Sequence, residues 1–441
     1  MFFDRKTEGK IHKGSILAGY DLSNDFSQIS YCVYGDDGKE EVESVATVIG
    51  TKQYNIPTVL WKRKGSNQWL YGKDAVKSNA EEEGSLVTGL VELARTGETI
   101  TIEEESFDAV ALLTLFIKRS LALMNFITTQ ENIAGLMFTV ENLDDRMVEV
   151  LSKAAANLNL KNTRIYIQSH TESFYHFVLH QPEELWNYQV LACEHNGYEL
   201  KTYRMECNKK TTPIVVLIEE QTYPAMVIPD EQEEETIKND SYALADEKFL
   251  HILQKQCADR IISSAYLIGA GFRDGWTKES LQFLCRNRRV FQGNNLFCKG
   301  ACFGLLEKIE PSEAGETHIF LGADKLKSNV GMHVQRRGQE SYYALLDAGK
   351  NWYEVHEECE IILPGEENTL SFVITPLTGK SAKIKEVVLE DAPVRGGGFT
   401  RYEIDVTMVS AEYVEVSITD LGFGEFFPAS GKVWKKQFEV T

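Results

Sequence analysis

The stretch Gly19-Tyr-Asp-Leu-Ser-Asn-Asp-Phe-Ser-Gln-Ile-Ser30 runs an apolar strand into one acidic residue, Asp21, and then into a polar turn. A turn of this kind can aim backbone N–H groups at a phosphate, and Asn24 tolerates the left-handed conformation such a loop uses. It can equally be an Asx turn that closes a hairpin. Glu194-His-Asn-Gly-Tyr198 repeats the outline, although Asn196-Gly197 is also the ordinary signal of a two-residue hairpin. Gly269-Ala-Gly-Phe-Arg273 follows a short apolar strand. Its glycines permit close backbone approach, either by a ligand or within a tight strand-to-helix turn leading to Thr277. His170 titrates near neutral pH and could act as a base, or it could simply open a helix. His176 and His180 stand at i, i+4 with Glu172 one turn earlier. That spacing binds zinc, and it also describes a partly exposed helix face.

The elements that must position these residues alternate over the first two-thirds of the chain. Residues 15–19 read as a strand whose hairpin partner is 28–35, with Asp36-Asp-Gly38 as the next turn. Ser106, preceded by three glutamates, suits the start of a buried helix over 107–124. A strand at 134–140 leads to an amphipathic helix over 144–158 with Met147, Val150, Leu151 and Ala154 on one face. Strand 164–168, helix 172–179 and a strand pair at 189–193 and 199–205 follow. The acidic run Asp230-Glu-Gln-Glu-Glu-Glu235 reads as a solvated loop, and helix 246–264 leads to strand 266–268. Past Pro311 the helical period disappears. In Tyr402-Glu-Ile-Asp-Val-Thr-Met408 every second residue is apolar, Val414, Val416 and Ile418 repeat the pattern, and 433–440 is a last strand. Such spacing predicts a β-sandwich.

At 441 residues the chain needs two or three domains, and 43% hydrophobic residues suffice for their cores. A formal net charge of -20 argues against nucleic acid or an anionic membrane surface as partner. The 8 cysteines form no CxxC pair and sit mostly in apolar runs, which predicts reduced, buried thiols in a cytoplasmic protein. The N-terminal residues lack a signal-peptide core. The most apolar segment, 109–126, is interrupted by Lys118-Arg119 and falls short of a membrane span, so a soluble protein is expected.

Taken in order, a series of short motifs resembles the actin/hexokinase/heat-shock-chaperone superfamily, and within it the DnaK-type (heat-shock) chaperones. Gly19-Tyr-Asp-Leu22 resembles the first phosphate loop. Ile56-Pro-Thr-Val-Leu60 and Trp69-Leu-Tyr-Gly-Lys-Asp-Ala75 resemble the following strand pair. Phe138-Thr-Val140 and residues 169–177 resemble the first connecting segment, and 190–205 stand at the second phosphate hairpin. Ala265-Tyr-Leu-Ile-Gly-Ala-Gly-Phe-Arg273 resembles the adenosine motif, and Gly300-Ala-Cys-Phe-Gly304 the second connecting helix. Ala392-Pro-Val-Arg-Gly396, with 402–408 and 414–418, resembles the substrate-binding sandwich around its Pro-Arg-Gly turn.

The resemblance implies an α/β actin-like ATPase (ribonuclease H-like) fold over 1–310, two subdomains with a contracted second half, then a chaperone-like all-β sandwich over 311–441. It implies ATP or ADP with Mg as cofactor, because hard Mg requires carboxylates and phosphate requires exposed backbone amides. By the same resemblance Asp21 and Glu194 hold metal and serve catalysis, with His170 standing for the family's water-positioning glutamate. Leu22, Ser23, Asn24, Asn196 and Gly197 face phosphates. Gly269, Ala270, Gly271, Phe272 and Arg273 face the adenosine. Tyr342, Tyr343 and Leu345, with Leu346, would line a peptide cleft. Several positions depart from the family. Its Gly-Thr-Thr tip is Ser23-Asn24-Asp25 here, and its second hairpin keeps one glycine of three. The subdomain inserted between the second hairpin and the adenosine motif is reduced to a short segment, and the helical lid has no counterpart before Thr441. The expectation is a divergent chaperone-like protein with a peptide or protein partner and a weak or lost ATPase. The alternative is a non-enzymatic interaction scaffold that kept the fold and dropped nucleotide.

Overall fold

The computed structural model describes residues 11–35, 41–224, 226–228, 235–273, 275–293, 295–364, 367–377, 381–395 and 399–440. The turn at Asp36–Gly38, most of the acidic run 230–235 and Gly396 lie outside the described residues. By internal contacts the chain divides into a unit ending at Ile319 and a unit spanning Phe320–Thr441.

In the first unit, one sheet contains β1 (Ile16–Asp21), β2 (Phe26–Val33), β3 (Glu43–Ser44), β4 (Ile133–Val140) and β5 (Arg164–Ser169) in the order β5-β4-β1-β2-β3. β1 runs parallel to β4, β4 parallel to β5, and β1 antiparallel to β2. All six residues of β1 are buried, as a central strand covered on both faces must be. Gly19 is obligatory there, since a Cβ would lie 2.2 Å from the carbonyl oxygen of Cys298 on a covering helix.

A second sheet contains β6 (Gln189–His195), β7 (Leu200–Asn208), β8 (Ile214–Tyr223), β9 (Ile262–Ile268) and β10 (Arg289–Gln292), ordered β10-β9-β6-β7-β8 with His318–Phe320 beyond β8. Its directions repeat those of the first sheet: β6 and β7 antiparallel, β7 and β8 antiparallel, β6 parallel to β9, and β9 parallel to β10. The unit therefore contains one strand plan twice.

The helices that bear on the site and its supports are α1 (Ala109–Leu121), α2 (Asp145–Leu158), α3 (His170–Leu179), α4 (Glu235–Cys257), α5 (Glu279–Leu284) and α6 (Leu296–Ile309). α1 starts later than the sequence predicts. Residues 105–108 pair with 99–102, so Asp108 rather than Ser106 accepts the capping bond, from the Ala111 amide. Among the described residues, Ala109–Phe126 is the one segment long and apolar enough to cross a membrane, contrary to the expectation that it falls short. In this fold Leu112, Leu113, Phe116 and Ile117 of that segment are core. α4 ends at Cys257, not 264, because Ile262 and Ser264 are drawn into β9 beside β6. α3 and α6 cross closely. A Cβ on Gly300 would stand 1.9 Å from the Ser173 carbonyl oxygen, and one on Gly304 would stand 2.4 Å from Gln168 Oε1.

In the second unit, β11 (Ser328–Arg336), β12 (Gln339–Leu346), β13 (His356–Pro364), β14 (Thr369–Pro376), β15 (Lys383–Val388), β16 (Phe399–Met408), β17 (Tyr413–Gly422) and β18 (Val433–Glu439) form two antiparallel sheets. Their orders are β12-β11-β14-β15 and β13-β16-β17-β18. Buried faces meet where Phe372 of one sheet packs on Phe438 of the other, ring centroids 5.6 Å apart. The alternation at 402–408 holds: Tyr402, Ile404, Val406 and Met408 are buried.

Candidate functional site

Asp21, His170 and Glu194 converge where β1, β6 and the start of α3 meet. Open α/β sheets bind ligands at the carboxyl ends of their parallel strands, so this is the place a ligand would be sought. Asp21 ends β1 and Glu194 lies near the end of β6. Ser169 caps α3 by accepting from the Glu172 amide, which turns the His170 ring inward. Nε2 of His170 lies 2.9 Å from Asp21 Oδ1, and the Ser23 hydroxyl donates to the same oxygen at 3.2 Å. The His170 ring lies flat on Phe297 of α6, centroids 4.0 Å apart and planes 9° apart. Across this stack the Tyr203 hydroxyl donates to Glu194 Oε2 at 2.8 Å. Lys201, directly opposite Glu194 in the β6–β7 register, pairs instead with Glu141 and with Glu199.

Charges inside this cluster answer one another. Burial works against a charged His170, but Asp21, then Glu194 and Glu220, outweigh it, and its pKa stands above the ordinary histidine value. Burial pushes the Glu194 carboxyl up, against the pull of His170 and the Tyr203 hydroxyl. Burial likewise lowers Lys201, partly offset by Glu220. A raised histidine pKa beside a carboxylate means that the pair favours the charged ring relative to a free histidine. Breaking such a buried pair typically costs about 3–5 kcal/mol.

In the first candidate phosphate loop two groups are engaged, and in the second every tip amide is. The Leu22 amide donates to the Thr139 carbonyl, and Asn24 Oδ1 accepts from the Glu92 amide. In the β6–β7 turn every tip amide has an internal acceptor. Gly197 donates to Nδ1 of His195 at 3.0 Å, Tyr198 and Glu199 donate to Asn196 Oδ1, and Asn196 donates to the Glu199 carbonyl. Backbone donors used in this way are not available to phosphate.

The glycines of 269–273 are also accounted for. Gly269 adopts φ +96, and a Cβ there would lie 2.3 Å from the His195 carbonyl oxygen. A Cβ on Gly271 would lie 1.6 Å from His195 Nδ1. Phe272 is buried in the core with Phe249 and Trp276. Ala270 sits on a short 3-10 turn, and Arg273 is exposed, its Nε donating to the Ala270 carbonyl.

His195 itself is fully buried, and burial depresses its pKa to about 4. The unfolded chain therefore binds more protons than the folded one between pH 6.5 and 4, and stability falls as pH falls through that window. The full loss is roughly 3 kcal/mol. Chemical denaturation at pH 7 and pH 4 is expected to show wild type losing about that much more than His195→Gln; equal losses would contradict the assignment.

Other candidate residues do not join the cluster. His176 Nε2 faces Glu172 at 3.6 Å, whereas His180 Nε2 faces Glu307 at 3.2 Å, so the two histidines serve different carboxylates. Among the described residues no group of three or more His, Cys, Asp or Glu side chains is arranged to hold a metal ion. In the second unit Tyr342 is exposed on edge strand β12, and Tyr343 points to the other face and bonds Glu357 at 3.3 Å. Leu345 is 6% exposed, a core residue. These three line no common surface. Tyr203 and Phe297 carry the cluster without being singled out by the sequence, and His195 fills the space at Gly269 and Gly271. Tyr203 had a signal, since hairpin pairing with 192 places it on the face of Glu194. Phe297 had none.

Residues 41–323 match the family described as "Family of unknown function (DUF5716) C-terminal", and the chain belongs to it. Residues 325–440 match "Domain of unknown function (DUF8552)". A comparison with curated proteins gives no match.

Proposed function

We propose that this chain is a non-enzymatic interaction scaffold: an actin-like α/β module whose nucleotide crevice is closed by its own side chains, joined to a chaperone-like β-sandwich. The twice-used strand plan of the first unit supports the actin-like reading. Closure of the crevice rests on one observation above all, the His170 ring seated between Asp21 and Phe297. In this reading His170 takes the position of the metal cation, the β6–β7 amides are spent on their own turn, and Gly269 and Gly271 admit His195 rather than a purine. The residues present do not fit Mg-ATP, and no hydrolytic step is assigned to them. Eight free cysteines accord with a reducing, cytoplasmic home.

The test is the melting temperature in millimolar Mg-ATP. A site occupied at a hundred times its Kd would add about 2.7 kcal/mol. No rise is expected. A rise that Asp21→Ala abolishes would restore the nucleotide-switched chaperone reading.

A further inference from the structure

We propose that the free edge of the second sheet, at β10, takes an extended acidic–apolar peptide segment as an added strand. Among the described residues β10 pairs only with β9 and ends the sheet order, so its outer side carries strand backbone with no neighbouring described strand in that sheet. Strand addition supplies main-chain bonds there, and alternate side chains then fall to either side of the edge.

Two shallow cavities flank this edge. One, of about 520 Å³, lies past the end of β10 and is bounded by Phe272, Leu281, Arg273, Lys278 and Gln292. The other, of about 450 Å³, lies at its start and is bounded by Tyr188, Ile261, Arg288, Arg289 and Glu184, the last paired with Arg289 at 2.9 Å. Cys285 borders both. Apolar residues beside Arg273, Lys278 and Arg288 suit a segment in which carboxylates alternate with apolar side chains.

The local charge points the same way. From Lys255 to Arg289 the chain has seven Lys or Arg against three Asp or Glu, within a protein of net charge -20. Arg273, Lys278 and Arg286 are exposed, and among the described residues none of them makes an ion pair. A long polyanion would meet the repulsion of the whole acidic surface, whereas a short acidic strand meets mainly this edge.

The inference gives a surface and a partner class to the binding role proposed above, and rests on that reading. The two fail separately: Mg-ATP binding that Asp21→Ala abolishes would reopen the crevice, whereas the peptide test reads Lys278 and Arg286, which the nucleotide reading does not use. The experiment uses the full chain and a short fluorescein-labelled peptide in which glutamate alternates with valine and phenylalanine. Anisotropy is expected to show saturable binding that high salt weakens and that Lys278→Glu/Arg286→Glu weakens by about tenfold or more. The same peptide is expected to protect Cys285, an exposed thiol, from alkylation. Absence of saturable binding, an unchanged affinity in the variant, an unprotected Cys285, or equal competition by a single-stranded oligodeoxynucleotide would each overturn the proposal.

Discussion

Replacing Asp420 with alanine is expected to remove about 3–5 kcal/mol from the stability of the second unit. Asp420 is fully buried on β17, and Arg395 grips it with two bonds, Nη1 to Oδ1 at 2.9 Å and Nη2 to Oδ2 at 2.8 Å. The guanidinium also donates to Thr400 Oγ1 and the Pro428 carbonyl, while Asp420 accepts from the Gly422 and Ser430 amides. Burial opposes ionisation of Asp420, but Arg395 and Ser430 prevail and hold its pKa far below the usual carboxylate range. Alanine would leave the guanidinium buried with its charge unanswered, which is the costly case. Urea denaturation measures the loss, and hydrogen exchange in 399–408 and 413–422 locates it. The double change Arg395→Met/Asp420→Leu is expected to cost much less, since it removes both charges together. A loss under about 1 kcal/mol for the single change, typical of exposed pairs, would contradict this account.

Gly271→Ala is expected to destabilise the first unit by about 3 kcal/mol, at the upper end for overpacking. The new methyl would meet the His195 ring at 1.6 Å, inside any contact distance, and the ring is itself enclosed by Phe272 and Trp276. The partner change His195→Ala removes the obstacle at the cost of a cavity. If the glycine exists for the histidine, Gly271→Ala costs much less in the His195→Ala background, and the coupling between the two is large and favourable. Additive losses would mean that Gly271 answers to something else, such as a ligand.

The sequence exposes the elements of this fold better than the contacts made around Asp21 and His195. The apolar run of β1 and the alternation at 402–408 follow from burial on both faces or on one, and both are visible in a short window. Asp21 and Glu194 stand out because each follows an apolar run. What they do depends on partners far along the chain. The Phe297 ring comes from a helix that must first cross α3 at Gly300, and nothing near Asp21 announces it. Gly269 and Gly271 are ambiguous for a physical reason: close approach by a ligand and close approach by a histidine require the same missing Cβ. Asn24 shows the same limit, since its side chain is spent on the Glu92 amide. Helix ends slip where pairing intervenes, as at Asp108 and Ile262, because strand partners are set by tertiary structure.

The proposed closure of the crevice is most directly tested by equilibrium dialysis of radiolabelled ATP with magnesium against the intact chain. The expected result is no nucleotide retained above the free concentration at millimolar ATP. Saturable retention of one ATP per chain, lost in Asp21→Ala, would contradict the account.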